Sequence, residues 1–214
     1  MSHFVLKDIS KKYGSHEILK DLSLEVEKGE LIAIFGESGC GKSTLLNIIG
    51  LLESYDKGDY SINGITNPTL NKKEALLLRR NEIGYLFQNF ALVENYTVRD
   101  NLEIAMSYSK LSKSKKEKEK LEALKKVNLE DKIDSYIYEL SGGEQQRISI
   151  ARLLLKPFNI LLADEPTGSL DKANRDLILS ILKEINNEGK TILIVTHDSE
   201  VRDFCDRCIY LTKN

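Results

Sequence analysis

A glycine-rich string near the start of the chain, Gly36-Glu37-Ser38-Gly39-Cys40-Gly41-Lys42-Ser43, leaves little freedom for the fold around it. It matches the pattern G-x-x-x-x-G-K-[ST], in which backbone N–H groups of a tight loop surround phosphate groups. An apolar run at 31–35 precedes the loop, and a helical pattern at 43–49 follows it. Because this strand, loop and helix order is the context that the motif requires, the sequence predicts a nucleoside triphosphate site.

The side chains and N–H groups of this loop have predicted roles in binding phosphate. A helix N-terminus carries partial positive charge and free N–H groups, which favour an anion. Lys42 is expected to place its charge at the β and γ phosphates, and the Ser43 hydroxyl to coordinate Mg²⁺. The predicted nucleotide-binding residues here are Gly36, Glu37, Ser38, Gly39, Cys40, Gly41, Lys42, Ser43 and Thr44.

Two adjacent carboxylates end a second apolar run, at 160–163. A buried parallel strand delivers its carboxyl end to the ligand crevice, so Asp164 and Glu165 are expected to face the same phosphates. Asp164 would then hold Mg²⁺, directly or through water, and Glu165 would polarise the water that attacks the γ-phosphate. Taken alone, two acids after an apolar run are solvated loop residues about as often as catalytic ones. Together with the glycine-rich loop, the pair favours a functional site.

The charge balance and the apolar stretches of the chain limit its expected partners and location. The 31 Lys and Arg residues nearly balance the 33 Asp and Glu residues. The chain therefore has no excess of basic residues that would indicate a nucleic-acid partner. The longest apolar stretch, at 45–52, is too short to span a bilayer, and the start of the chain lacks the pattern of a signal peptide. The expected location is the cytosol, unless a partner holds the protein at a membrane, and the end at Asn214 predicts no regulatory tail domain.

The order of patterns predicts an α/β fold. Strands are expected at 4–9, 22–26, 31–35 and 59–62, the last ending in an Asn63-Gly64 hairpin turn, which indicates an antiparallel N-terminal element. One helical region is expected at 97–127, with a solvated charged face at 113–126. In the last third, strands at 159–163, 191–195 and 208–211 alternate with helices at 142–154, 172–185 and 199–204. This alternation is typical of a mostly parallel sheet.

The string Leu140-Ser141-Gly142-Gly143-Glu144-Gln145-Gln146-Arg147 begins the helix at 142–154. Ser141 and Glu144 fit a capping box, so one interpretation is simply a well-capped helix. Gly142 and Gly143 weaken the first helical turn, which favours a backbone that must approach an anion. Here the chain resembles the ATP-binding cassette ATPases, whose signature is Leu-Ser-Gly-Gly. Their other elements also occur in order: Tyr13, the loop at 36–43, Gln88, Asp164-Glu165, Ser169-Leu170-Asp171 and His197.

This resemblance implies a P-loop NTPase fold in one domain, residues 1–214, with a mostly parallel sheet, an N-terminal antiparallel β subdomain and a helical subdomain at approximately 89–157. It implies ATP hydrolysis with Mg²⁺ in a head-to-tail dimer. The signature residues Ser141, Gly142, Gly143 and Glu144 of one copy would cap the ATP held by the other.

Individual roles follow from the same resemblance. Tyr13 would stack on adenine, the alternative being a tyrosine packed at a strand end. Gln88 would contact Mg²⁺ and the attacking water, and His197 the γ-phosphate, so the predicted catalytic residues are Glu165, His197 and Gln88, and the metal ligands Ser43, Gln88 and Asp164. Adenine is favoured over guanine because the string Asn71-Lys72-Lys73-Glu74 does not match Asn-Lys-x-Asp.

The chain lacks the long coiled coils and the second cassette of soluble relatives, so a separate integral membrane permease is the expected partner. Residues 79–90 and 162–171 resemble the macrolide-exporter and lipoprotein-release branch, which implies export or extraction of a peptide, drug or lipoprotein. The transporter contact is expected between Gln88 and Thr97, through Phe90, Leu92, Val93 and Tyr96. Two alternatives stay open: an ATP-gated switch that signals through a membrane protein without transport, and a soluble cluster-assembly ATPase.

Overall fold

A computed structural model describes residues 2–168 and 170–213. Met1, Asn214 and the serine of the predicted Ser169-Leu170-Asp171 motif lie outside the described residues. The strands are β1 (Ser2–Tyr13), β2 (His16–Glu27), β3 (Leu31–Phe35), β4 (Lys57–Ile62), β5 (Ile65–Thr66), β6 (Ile83–Leu86), β7 (Ile160–Asp164), β8 (Thr191–Thr196) and β9 (Arg207–Tyr210). The α-helices are α1 (Lys42–Ile49), α2 (Lys73–Asn81), α3 (Val98–Ala105), α4 (Lys113–Lys126), α5 (Gly142–Leu154), α6 (Lys172–Asn187) and α7 (Ser199–Phe204). None of these helices is long and apolar enough to cross a bilayer.

The larger sheet has the strand order β6-β7-β8-β3-β9, and each of its pairings is parallel. Its central strands β7 and β8 are buried along their whole length, as expected for parallel strands covered on both faces. The glycine-rich loop follows β3, Asp164 ends β7, and His197 follows β8. The predicted parallel sheet is confirmed, and it carries these residues to one edge.

The smaller sheet is antiparallel, with the order β2-β1-β4-β5. Asn63 and Gly64 both adopt left-handed φ angles, 48° and 78°, as the tight hairpin turn between β4 and β5 requires. The predicted strands at 4–9 and 22–26 were too short, because β1 and β2 stay paired out to Tyr13 and His16 through several register shifts. Bulges of this kind let pairing continue past polar positions that break simple alternation. The β1–β2 hairpin therefore reaches much farther than predicted.

The helical pattern at 97–127 forms two helices, α3 and α4, which residues 106–112 separate. Ser107 donates its hydroxyl hydrogen to the Ile104 carbonyl oxygen at 2.7 Å, and the Ser112 hydroxyl accepts from the Lys115 N–H at the start of α4. Serine side chains compete in this way for backbone groups and favour helix ends over helix interiors. The other predicted elements end within two residues of their expected positions.

The charged run at 113–126 is more than a solvated face. Lys120 is only 3% exposed, and its ammonium group pairs with Glu103 of α3 and Glu117 of α4 at 2.7 and 2.9 Å. A buried ammonium group needs such partners to offset its loss of hydration. This pairing joins α4 to α3, and both helices pack against α5. Helices α3, α4 and α5 lie between β6 and β7 in the chain, within the interval where the helical subdomain is predicted.

Candidate functional site

The loop at 36–43 forms a tight turn between β3 and α1. Gly39 and Gly41 have left-handed φ angles of 76° and 98°, which glycine adopts without the steric cost of a side chain. A Cβ atom on Gly41 would lie 2.8 Å from Cγ2 of Ile18 in β2. The β1–β2 hairpin is therefore packed so closely on the loop that this position excludes any side chain.

Lys42 begins α1 and is almost fully enclosed, with 7% of its surface exposed. Its Nζ donates hydrogen bonds to the carbonyl oxygens of Gly36 at 2.8 Å and Glu37 at 2.9 Å. The Cys40 side chain is buried beneath the same loop. The loop therefore curves around a single ammonium group, the arrangement expected of a phosphate-binding lysine.

The Ser43 hydroxyl donates to Oδ1 of Asp164 at 3.2 Å, which joins the first turn of α1 to the end of β7. Burial raises the pKa of the Asp164 carboxyl; the neighbouring Glu165 charge adds to the rise, while the Ser43 hydrogen bond and the Lys42 charge oppose it. Mg²⁺ usually binds through one or two carboxylates and keeps its remaining ligands for water and phosphate. A hydroxyl and a carboxylate side by side fit this chemistry, although no three His, Cys, Asp or Glu residues cluster within 2–168 and 170–213.

Glu165 occupies a strained and specific position. Its φ is 46°, its N–H donates to the Val195 carbonyl oxygen at 3.0 Å, and its side chain is 11% exposed. Left-handed backbone is costly for a non-glycine residue and is found mostly where function requires it. The Glu165 carboxylate oxygen Oε1 lies 2.7 Å from Nδ1 of His197, whose ring is largely exposed. The carboxylate is thus held at the mouth of a cleft, next to a solvent-facing imidazole.

A cavity of about 610 Å³ connects these groups. Its lining contains most of the predicted site and two residues, Ile18 and Val195, that sequence reasoning missed. An isoleucine and a valine in apolar strands carry no pattern that separates them from core residues. The lining residues are Ile18, Ser38, Gly39, Gly41, Lys42, Ser43, Thr44, Gln88, Asp164, Glu165, Val195 and His197.

Several predicted nucleotide-binding residues lie outside this lining. Gly36, Glu37 and Cys40 are among them, and Gly36 lies so close to the Leu211 carbonyl oxygen that a Cβ there would clash with it. Tyr13 lies at the rim of the cleft with 49% of its surface exposed. Its hydroxyl donates to Glu53 and lies beside Thr44, one of the residues that line the cavity.

The predicted capping box at the start of α5 is present. The Ser141 N–H donates to Oε2 of Glu144 at 2.8 Å, and the Glu144 N–H donates to the Ser141 hydroxyl at 3.3 Å. The Ser141 hydroxyl also donates to Oε2 of Glu144 at 2.8 Å, and the two hydrogen bonds that the carboxylate accepts from Ser141 lower the pKa of Glu144. Of the described residues, those at 141–144 do not line the cavity beside Lys42. Within one copy of the chain, the glycine-rich loop and the signature therefore belong to separate surfaces.

The two signature glycines have different surroundings. A Cβ on Gly143 would lie 3.0 Å from the side chain of Asn174 in α6, so the Asn174 side chain would have to move to admit it. A Cβ on Gly142 would meet none of the described atoms within 4 Å. Packing against the described residues thus favours glycine at 143 and gives no reason for glycine at 142.

Arg152 connects α5 to the segment after Gln88, and sequence reasoning missed it. Its guanidinium donates to the carbonyl oxygen of Phe90 at 2.9 Å and to that of Ala91. Phe90 and Ala91 both have left-handed φ angles, 62° and 50°. Burial lowers the pKa of this guanidinium, yet the two carbonyl oxygens satisfy its N–H groups. The backbone just beyond Gln88 is therefore tied to the signature helix.

The raised pKa of Asp164 leads to a stability prediction for the protein without nucleotide. A carboxyl whose folded pKa exceeds its unfolded pKa costs stability as the pH rises through the folded value. Asp164→Asn should therefore raise the thermal unfolding midpoint at neutral pH, and the gain should shrink as the pH falls toward the usual range of an aspartate. Thermal melts across that pH range would measure it.

Asp171→Asn is the matched control for this prediction. Its carboxylate caps α6, and a hydrogen bond from the Asn174 N–H lowers its pKa, so ionised Asp171 stabilises the fold above its unfolded pKa. Its replacement should lower the midpoint at neutral pH or leave it unchanged. A midpoint for Asp164→Asn below that of the unmodified protein at neutral pH would contradict the prediction.

Comparison with known proteins places this geometry in a family. Residues 19–168 match the family described as "ABC transporter". The macrolide export ATP-binding/permease protein MacB of Bartonella quintana is 41% identical over 97% of this chain, which spans 32% of that protein's length. The ABC transporter ATP-binding protein YvrO of Bacillus subtilis is 42% identical, with 96% of this chain and 92% of YvrO aligned. The dimeric, post-hydrolysis structure of the cassette MJ0796 bound to ADP and Pi superposes with a TM-score of 0.90, at 39% identity, over 97% of this chain and 94% of that one.

Proposed function

This chain belongs to the ABC transporter family and is an ATP-hydrolysing cassette, and we propose that it works as a dimer to drive transport through a separate membrane permease. The observation that carries the proposal is the single cavity in which Lys42, Ser43, Asp164, Glu165 and His197 come together. These groups supply charge, oxygen ligands and a base at the carboxyl ends of neighbouring parallel strands. Such a combination suits phosphoryl transfer to water.

Binding of the triphosphate is assigned to the loop and the first turn of α1. The N–H groups of the loop and the Lys42 ammonium would contact phosphate oxygens, exchanging the lysine's present bonds to Gly36 and Glu37 for bonds to the nucleotide. Ser43, Asp164 and Gln88 are the proposed Mg²⁺ ligands, directly or through water. The bound ion would neutralise charge on the β and γ phosphates.

Hydrolysis is assigned to Glu165, His197 and Gln88. Glu165 would accept a hydrogen bond from the attacking water and take its proton as the bond to phosphorus forms. The 2.7 Å contact with His197 supports this role because it restricts the direction of the carboxylate, and His197 would contact the γ-phosphate. Gln88 lies two residues after the end of β6 and lines the same cavity. It would orient the attacking water.

A head-to-tail dimer would complete this site. The signature of one copy lies outside that copy's own cavity, and a Cβ on Gly142 would meet no atom of residues 2–168 and 170–213 within 4 Å. A second copy that brings its phosphates to the N-terminus of α5 would account for both observations, because a helix N-terminus attracts anions. The solved MJ0796 cassette that this chain matches at 39% identity is itself described as dimeric.

The surface proposed to contact the permease is the segment from Gln88 to Thr97 together with a neighbouring groove. Two adjoining cavities, of about 310 and 660 Å³, share Arg79, Ile104 and Lys156 in their linings, and the first also includes Arg152. Apolar walls and basic side chains together suit an amphipathic helix that carries acidic residues. Because Arg152 also holds the backbone at 90–91, an occupant of this groove would be coupled directly to the segment that contains Gln88.

Replacing both Phe90 and Tyr96 with alanine should uncouple the cassette from its permease. Tyr96 is exposed and Phe90 partly so, and both lie in the segment that the proposal gives to the partner. In proteoliposomes that contain the copurified permease, we expect the double variant to keep its basal ATPase rate and to lose most stimulation and substrate flux. Leu121→Ala, at an exposed apolar position on α4, is the control and should leave both unchanged.

The same reconstitution separates the alternatives. Flux that depends on ATP supports transport, whereas stimulated hydrolysis without flux of any tested peptide, drug or lipoprotein would favour an ATP-gated switch. A soluble copurifying partner would favour a cluster-assembly ATPase. Undiminished stimulation of the Phe90 and Tyr96 double variant would refute the proposed contact. On the transport proposal the cassette is cytoplasmic and peripheral, held at the inner face of the membrane by its partner.

A further inference from the structure

Tyr13 is held at the rim of the cleft by a carboxylate that no sequence motif identified. The Tyr13 hydroxyl donates to Oε1 of Glu53, and the same oxygen lies 3.3 Å from Nζ of Lys11. The Lys11 ammonium also lies 5.1 Å from the centre of the Tyr13 ring, within the range of a cation–π contact. Lys11, Tyr13 and Glu53 therefore form one connected cluster, called here the rim cluster.

Glu53 reaches this position from the segment that follows α1. Its own N–H is bonded to the Asn47 carbonyl oxygen at 3.2 Å, so its backbone is anchored to the helix that begins at Lys42. Three residues later, Asp56 accepts from the Lys12 N–H at 2.7 Å and donates its own N–H to the Ser10 carbonyl oxygen at 2.9 Å. The helix that carries the phosphate-binding lysine and the hairpin that carries Tyr13 are thus fixed to each other through residues 53–56.

We propose that Glu53 is a positioning residue for nucleotide binding, which holds the Tyr13 ring in the orientation that an adenine base stacks on. The inference depends on the proposed function and on the adenine-stacking role that the sequence analysis expects for Tyr13. It goes further by assigning a role to Glu53, which lies outside the cavity lining and contacts no phosphate-binding group.

A physical need for such a residue follows from the exposure of Tyr13. A half-exposed tyrosine at the end of a strand has few packing contacts, and it must lose rotamer freedom when a base stacks on it. A hydrogen bond at the hydroxyl and a cation over the ring restrict that freedom before the nucleotide arrives. Less of the interaction free energy is then lost in ordering the side chain, so the affinity for the nucleotide is higher. The effect should concern the base and leave the phosphates untouched.

The test compares the affinity for ATP with the affinity for inorganic tripolyphosphate, both measured by calorimetry on the full chain without Mg²⁺ to prevent hydrolysis. Glu53→Ala should weaken ATP binding about three- to tenfold, the usual range for one lost hydrogen bond, and leave tripolyphosphate binding unchanged. Glu53→Gln should restore most of the affinity, because its amide oxygen still accepts from the tyrosine. Glu17→Ala, which removes a carboxylate paired with Lys12 on the same hairpin, should change neither affinity.

A double-mutant cycle identifies the path of the effect. Tyr13→Phe keeps the ring and the pair between Lys11 and Glu53 but removes the hydroxyl, so it should weaken ATP binding about as much as Glu53→Ala. Combining the two changes should add little, since residues that act through one contact are not additive. Fully additive losses, or equal losses for ATP and tripolyphosphate after Glu53→Ala, would overturn the inference.

Tyr13→Ala distinguishes failure of the inference from failure of the proposed function. If this variant bound ATP as tightly as the unmodified protein, the stacking role of Tyr13 would be wrong, and the inference about Glu53 would fall with it. If Tyr13→Ala weakened ATP binding while Glu53→Ala did not, only the positioning role of Glu53 would be overturned.

Discussion

Glu165→Gln is expected to reduce the rate of ATP hydrolysis about 10²- to 10⁴-fold, the usual contribution of a general base. The amide matches the carboxylate in shape and can still contact His197, but it cannot take a proton from water. Nucleotide binding should persist, because the loop and Lys42 are untouched. With ATP and Mg²⁺ present, the variant should therefore accumulate as an ATP-bound dimer. Phosphate release would measure the first effect, and size-exclusion chromatography with and without ATP the second.

A matched control is Glu188→Gln, an exposed carboxylate at the end of α6 that does not line the cavity. It should hydrolyse ATP at the normal rate and show no trapped dimer. Turnover of Glu165→Gln near the unmodified rate would remove Glu165 from the role of base. If Glu165→Gln lost both hydrolysis and ATP binding, the substitution would have damaged the loop. That result would contradict the expectation that nucleotide binding persists.

Gly142→Asp should abolish hydrolysis while leaving the single chain folded. A side chain at this position meets none of the described atoms within 4 Å, and a carboxylate in the first turn of a helix is favourable for the helix itself. In the proposed dimer, the same carboxylate would face the partner's γ-phosphate. Repulsion between desolvated like charges is expensive, so we expect at least about a hundredfold loss of activity and of ATP-induced dimer. An unchanged thermal midpoint together with a lost rate would support this reasoning.

Mixing two inactive variants tests the head-to-tail geometry directly. Lys42→Ala should be inactive because both of its sites lack the phosphate-binding ammonium, and Gly142→Asp because both of its sites carry a defective cap. In a mixed dimer, the intact loop of the Gly142 variant would meet the intact signature of the Lys42 variant and form one complete site. The mixture should therefore regain activity that neither variant has alone. If it stayed inactive while mixed dimers formed, the loop and signature would not share a site across the dimer.

The features of the candidate site that the structure shares with the sequence analysis depend on short spacings and on the order of the strands. Gly39 and Gly41 have left-handed φ angles, which glycine adopts readily, because the chain turns there between a strand and a helix within a few residues. Ser141 and Glu144 formed the capping box that their separation predicts. The carboxylates at 164–165 and His197 converged because the carboxyl ends of parallel strands meet at one edge of the sheet.

The contacts that sequence analysis missed join residues far apart in the chain. Nothing in the order of residues connects Glu53 with Tyr13, or Arg152 with the backbone at 90–91. The break between α3 and α4 was missed for a related reason, since serines are tolerated in helices unless they bond to nearby backbone, and only the folded chain shows which occurs. The buried state of Lys120 likewise depends on Glu103 of another helix.

The sequence by itself determined the chemistry of this protein: a phosphate-binding loop, a pair of carboxylates and a capped glycine signature, each encoded within a few neighbouring residues whose local geometry follows from their own backbone preferences. Only the tertiary structure decided how these groups are arranged in space. It placed the loop and the carboxylates in one cavity and the signature outside it, it joined Tyr13 to Glu53, and it left no described atom within 4 Å of a Cβ added to Gly142. The physical reason is that packing and hydrogen bonding between distant segments depend on the fold of the whole chain. The spacing of residues along the sequence carries no information about contacts of this kind.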